Sequence, residues 1–210
     1  MLAVATGVVG ITFGVLAEAA GLTLWQGMAM SVFVFTGASQ FAAVSVISAG
    51  GTIAAALASA LILAARNTLY GQAVIRILPE RLLPRLASSQ FVIDETTAMA
   101  TAQEDEATAR DAFWFTAVSL WTLWQLGTAI GMAVGEVVAD PNIYGLDAAF
   151  PAAFIALIVP HLQRQSGLRA AIAGGSIALV SIPFAAPGVP ILLSALGIFA
   201  GFDALRQEAP

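Results

Sequence analysis

Phe33-Val34-Phe35-Thr36-Gly37-Ala38-Ser39-Gln40-Phe41 decides how this chain is built. The stretch lies inside an apolar run, Leu22 to Ala49. A hydrocarbon core of roughly 30 Å takes about 20 helical residues, so the run is long enough to cross a bilayer. Yet glycine, serine and glutamine stand at its middle. Polar groups at that depth are costly unless they face protein or a water-filled cavity. Gly37-Ala38-Ser39-Gln40 therefore predicts a broken helix. Two readings stay open: residues lining a substrate path, or residues bonding one helix to another.

Composition carries the same message. Of 210 residues 59% are hydrophobic and 10% charged, with a mean hydropathy of +0.89. Soluble domains average about 25% charged residues, so this chain lacks the material for a solvated surface. A net charge of −5 and the absence of lysine argue against nucleic acid as a partner. With no cysteine and the single histidine His161, no disulfide, thiol chemistry or histidine metal cluster is expected, and no cofactor.

Long apolar runs occupy Leu2–Ala20, Leu22–Ala49, Ile53–Leu78, Phe113–Val138, Asp147–Pro160, Leu168–Phe184 and Pro190–Leu205. They predict a single all-α membrane domain over residues 1–210, a bundle of about seven transmembrane helices with one broken helix. The first run has no basic lead-in and reads as a retained helix, not a cleaved signal. Basic loops stay cytoplasmic, which places Arg76, Arg81, Arg85, Arg164, Arg169 and Arg206 inside. These agree only if Leu86–Arg110 does not cross. Its acids Asp94, Glu95, Glu104, Asp105 and Glu106 are too many for a span, so Leu86–Ala102 is expected as an interfacial or re-entrant helix. Counting back puts the N-terminus outside, and a helix pair within Leu22–Ala49 would reverse that. The GxxxG spacings Gly10–Gly14, Gly127–Gly131 and Gly131–Gly135 predict close helix packing. No internal repeat is visible.

Three further polar clusters sit at or near membrane depth. Arg66-Asn67-Thr68-Leu69-Tyr70-Gly71 lies midway along the third run, and Arg66 there demands an acidic or carbonyl partner from among Asp94, Glu95, Asp147 and Glu18. It reads either as a packing ion pair or as a carboxylate binder. Asp94-Glu95-Thr96-Thr97 reads as the start of a half-helix that titrates during transport, or as acids favouring a helix dipole. Asp147 reads as a functional acid or as the N-cap of the fifth helix. Trp25, Trp114, Trp121 and Trp124 read as interface anchors or core.

Taken in order, Phe35-Thr36-Gly37-Ala38-Ser39-Gln40-Phe41, Ala65-Arg66-Asn67-Thr68-Leu69-Tyr70-Gly71, Asp94-Glu95-Thr96 and Gly145-Leu146-Asp147-Ala148-Ala149-Phe150-Pro151 resemble the AzlC family. That family is the large subunit of two-component branched-chain amino acid exporters. The resemblance implies a multi-pass bacterial inner (plasma) membrane permease with a small AzlD-type membrane subunit as partner. It also implies proton-driven export of valine, leucine, isoleucine and sometimes methionine. No serine–histidine, paired-aspartate or metal constellation stands at membrane depth, so no enzymatic activity is expected. Family members usually carry a polar, basic lead-in and a proline before Gly7-Val8-Val9-Gly10, and this chain starts close to that point.

A zwitterion needs one group for its carboxylate and one for its ammonium. Under the resemblance, Gly37, Ser39, Gln40, Arg66, Asn67 and Tyr70 are the expected substrate-binding residues, with a broken-helix N-terminus as a further carboxylate site. Asp94, Glu95 and Asp147 are expected to take the ammonium or carry the coupling proton. Phe35 and Phe41 would suit a branched aliphatic side chain. The alternative is an accessory membrane subunit that does not itself carry the pathway.

Overall fold

The structure is a computed structural model that describes residues 1–136, 155, 158–159 and 161–202. Among these it is all helical: α1 (Leu2–Ala19), α2 (Leu24–Phe33), α3 (Ala38–Ser48), α4 (Ile53–Ala64), α5 (Asn67–Ala73), α6 (Leu82–Ser89), α7 (Asp94–Thr101), α8 (Glu106–Gly135), α9 (Gln165–Ser181) and α10 (Val189–Ser194). The last continues as a 3-10 turn, Ala195–Gly201.

The glycine spacings set the frame. Gly7 meets Leu123, Gly10 meets Trp124, Gly14 meets Thr128 and Gly135 meets Glu18, so α1 and α8 run parallel at close range. A Cβ on Gly131 would collide with the Ile11 carbonyl, and one on Gly127 with that of Gly7. The seam is backbone against backbone, as GxxxG helices allow. At its start α8 is capped by Asp105, which accepts from the Ala107 and Thr108 amides at 3.0 and 2.9 Å and from the Thr108 hydroxyl at 2.6 Å. Those bonds, the hydroxyl's first, hold this exposed carboxyl below its ordinary range.

Parallel packing overturns the expected outside N-terminus. Arg110 Nε donates to the Ile77 carbonyl at 3.3 Å, which brings the Arg76–Arg85 segment to the start of α8. The N-terminal end of α1 therefore points toward this arginine face. The reason lies in the second apolar run, which does not cross.

From the far face α2 descends along α8, with Gly27 against Met132 and Ser31 Oγ 3.0 Å from Thr128 Oγ1. The chain breaks at Val34–Gly37 beside Trp124, and α3 climbs back, packing Phe41 and Val44 with Phe13 and Ala17. α4 and α5 then form one long helix, kinked at Ala65–Arg66, that descends to the arginine face. Next α6 rises and α7 returns, its Ala100 packed with Ala109 and Phe113 near the start of α8. The expected single helix over Leu86–Ala102 is thus two helices, broken at Gln90–Ile93. Acids could not cross the membrane, but a capped half-helix can dip into it.

The two hairpins enter from opposite faces, and each follows a long helix, α1 or α4–α5. This is a repeated unit in inverted orientation, a device of transporter folds. Phe35, Gly37 and Gln40 correspond at one constant offset to Phe91, Ile93 and Thr96. Only one of these three pairs is an identity, so the repeat is hidden from the sequence.

Among the described residues three helices are long and apolar enough to cross a membrane, Leu2–Ala19, Ile53–Ala73 and Glu106–Gly135, fewer than the seven expected over the whole chain. The predicted fifth run, Asp147–Pro160, falls almost wholly outside the described residues. α9 and α10 pack antiparallel, Gly174 facing Gly197 and Gly201 facing Ser166. Their turn docks on the far face, where Gly188 meets Val46 and Ala55. Arg164 and Arg169, at the other end of α9, lie toward the arginine face.

Candidate functional site

Both breaks expose backbone groups that must be paired at membrane depth. At the first, Gln40 does most of this. Its Oε1 accepts from the Gly37 amide at 3.2 Å, and its Nε2 donates to the Met30 carbonyl at 3.3 Å. Gly37 turns the chain with φ +52°, a region that L side chains rarely enter. At the second break Thr96 plays the equivalent part. Its Oγ1 accepts from the Ile93 amide at 3.1 Å and donates to the Phe91 carbonyl at 2.7 Å. The tips then join: Gln90 Nε2 donates to the Val32 carbonyl at 2.9 Å, and Phe35 meets Phe91 edge-on at 6.3 Å.

Beside the joined tips lies a cavity of about 500 Å³, bounded by Phe35, Thr36, Gly37, Ala38 and Phe41 from the first hairpin and Ile93, Asp94 and Glu95 from the second. Leu2, Ala5, Thr6 and Val9 of α1, Trp124 of α8 and Arg66 complete the wall. Toward the far face Phe13, Phe41 and Trp124 pack together, with ring centroids 5.7 to 6.3 Å apart, and close that side. Each such aromatic pair is worth about 0.5–1.5 kcal/mol beyond its burial.

The electrostatics are arranged in two patches. α3 and α7 both begin at the cavity, and unpaired first-turn amides give a helix N-terminus partial positive charge. α7 carries Asp94 and Glu95 in its first turn, whereas α3 has no acid there and a glycine cap without a side chain. The α3 N-terminus is therefore open to an anion. Arg66 Nη2 lies 3.6 Å from Asp94 Oδ1, and both side chains are about one-third exposed. Arg66 has found the acidic partner its depth requires, on an adjacent hairpin.

The predicted residues divide accordingly. Gly37, Arg66, Asp94 and Glu95 meet at the cavity. Gln40 is fully buried behind its wall and spends its amide on the helix break; Ser39 is 1% exposed, and its hydroxyl has no partner among the described residues. Asn67, next to Arg66 in sequence, faces a separate crevice between α5 and α6 with Gln72, Arg85 and Ser89. Tyr70 packs against the Val74–Phe113 cluster. Asp147 lies outside the described residues. Sequence reading missed Thr6, Thr36 and Trp124 as cavity residues. The signal for Trp124 was its depth, midway along the longest helix and within one turn of the Gly127 contact.

The family model described as AzlC protein matches residues 2–138, the span holding both hairpins, Arg66, Asp94 and Trp124. The chain belongs to the AzlC family. Its relatives include a membrane protein of Archaeoglobus fulgidus, 29% identical over 93% of this chain and 87% of that one. Inner membrane protein YgaZ of Escherichia coli is 28% identical over 84% of this chain and 77% of its own length. A Helicobacter pylori membrane protein is 27% identical over 82% and 76%. No solved structure matches. AzlC membership makes this a membrane protein with a transport-related role.

Proposed function

We propose that this chain is the inner-membrane permease subunit of an exporter of valine, leucine, isoleucine and methionine, working with a small AzlD-type partner and driven by protons. One observation carries the reading: the acid-free α3 N-terminus and the Arg66–Asp94 pair face one apolar cavity between two hairpins of opposite entry. The carboxylate of an amino acid suits the α3 N-terminus and Arg66, and its ammonium suits Asp94 and Glu95. Phe35, Phe41, Val9 and Ile93 offer apolar surface to a branched side chain. Inverted hairpins that share one site give a basis for alternating access, each serving as the gate for its own face.

Asp94 sits where substrate charge and Arg66 compete for it, which suits proton coupling. Asp147 remains a proposed second acid. Export and the AzlD-type partner rest on the family resemblance. The reading is tested by loading cells with a branched-chain dipeptide and following efflux of valine, leucine and isoleucine, with and without this chain and its small subunit. Efflux that needs both supports the exporter. Efflux that needs neither removes the substrate assignment.

A further inference from the structure

Trp124 is only 3% exposed, and its indole Nε1 is buried without a hydrogen-bond partner, although the ring lines the cavity. The Thr36 hydroxyl is in the same position: buried, unpartnered and on the cavity wall. Buried polar groups in native proteins are nearly always paired, so two orphans on one wall need an explanation. An indole N–H can only donate, so what completes it is an acceptor. The ring edge abuts the start of α3, since a Cβ on Gly37 would stand 3.7 Å from Trp124 Cη2. The start of α3, Thr36 and the Trp124 ring thus share one wall of the cavity.

We infer that Trp124 and Thr36, with the N-terminus of α3, form the subsite that binds the carboxylate of the transported amino acid. The inference rests on the amino acid reading of the cavity and deepens it. Arg66, paired with Asp94, adds its positive charge to the carboxylate side but does not grip the carboxylate alone. Discrimination between an amino acid and the amine lacking its carboxylate then originates at Trp124 and Thr36.

The test is equilibrium binding of L-leucine and of isoamylamine, which is leucine without its carboxylate, to the full chain purified together with its small subunit. Trp124→Phe keeps the ring and removes the N–H; Thr36→Val keeps the shape and removes the hydroxyl. Each variant is expected to weaken leucine binding about tenfold or more and leave isoamylamine binding unchanged, because a hydrogen bond to a charged group is lost. Unchanged melting temperature identifies the effect as local. Parent-like leucine affinity in both variants overturns the subsite while leaving the amino acid reading intact. So does a parallel loss of leucine and isoamylamine. A parent protein that binds no leucine overturns both.

Discussion

Gln90 at the tip of the second hairpin donates to the carbonyl of Val32 in the first, 2.9 Å away and 58 residues earlier. Two segments that enter from opposite faces are thereby fastened where neither has a continuous helix. Replacing Gln90 with Leu leaves that carbonyl without its side-chain donor in an apolar setting. The expected loss is about 1–3 kcal/mol of stability, read by denaturation in detergent. Parent-like stability would show that the tips are held by packing alone.

The α1–α8 seam makes a sharper contrast. Gly131→Ala drives a methyl into the Ile11 carbonyl, whereas a Cβ on Gly175 meets nothing within 4 Å. The first substitution is expected to cost about 1–3 kcal/mol or more as the helices are forced apart. The second replaces a mid-helix glycine and is expected to be neutral or slightly stabilising. Equal effects in a thermal unfolding comparison would contradict the backbone-to-backbone seam.

Asp94→Asn removes charge from the cavity without changing shape. Transport is expected to fall tenfold or more, while membrane insertion stays normal. Arg66→Leu alone is also expected to impair transport, because it leaves Asp94 without its cation at depth. The double variant is expected to lose less than the two single losses combined, the mark of a coupled pair in a mutant cycle. Additive losses would show the two side chains acting independently.

Topology can be read directly because the chain has no cysteine. Ser48→Cys lies at the far face and Glu104→Cys at the arginine face, both on exposed residues. An impermeant thiol reagent added outside intact cells is expected to label the first and not the second. Ala19→Cys, exposed at the end of α1, separates the topologies: the re-entrant hairpin leaves it at the far face and labelled with Ser48, whereas a single crossing by the Leu22–Ala49 run would put it at the arginine face and remove its labelling.

The sequence shows some of this well and some not at all. Gly37 and Gln40 betray the broken helix because nothing apolar explains them at that depth. The direction taken after the break is not readable, since an apolar α3 looks the same climbing back or continuing. Two half-helices of ten and eleven residues therefore pass for one span, and the side of the N-terminus follows the error. The acids of Asp94-Glu95 do announce a segment that cannot cross. Its dip toward Trp124 depends on Gln90 and Thr96 pairing backbone groups, which is visible only in three dimensions. Arg66 and Asn67 illustrate the remaining limit: neighbours in a helix point about 100° apart, so one reaches the cavity and the other a different crevice.

The central claim is that amino acids bind where the hairpin tips meet. Ala38→Cys places a single thiol on the cavity wall at the start of α3. Its rate of modification by a small thiol reagent is measured in membranes with and without saturating leucine. Protection by leucine, and none by an equal concentration of a sugar, is the predicted result. A rate indifferent to leucine would contradict the account and move the substrate path away from the hairpins.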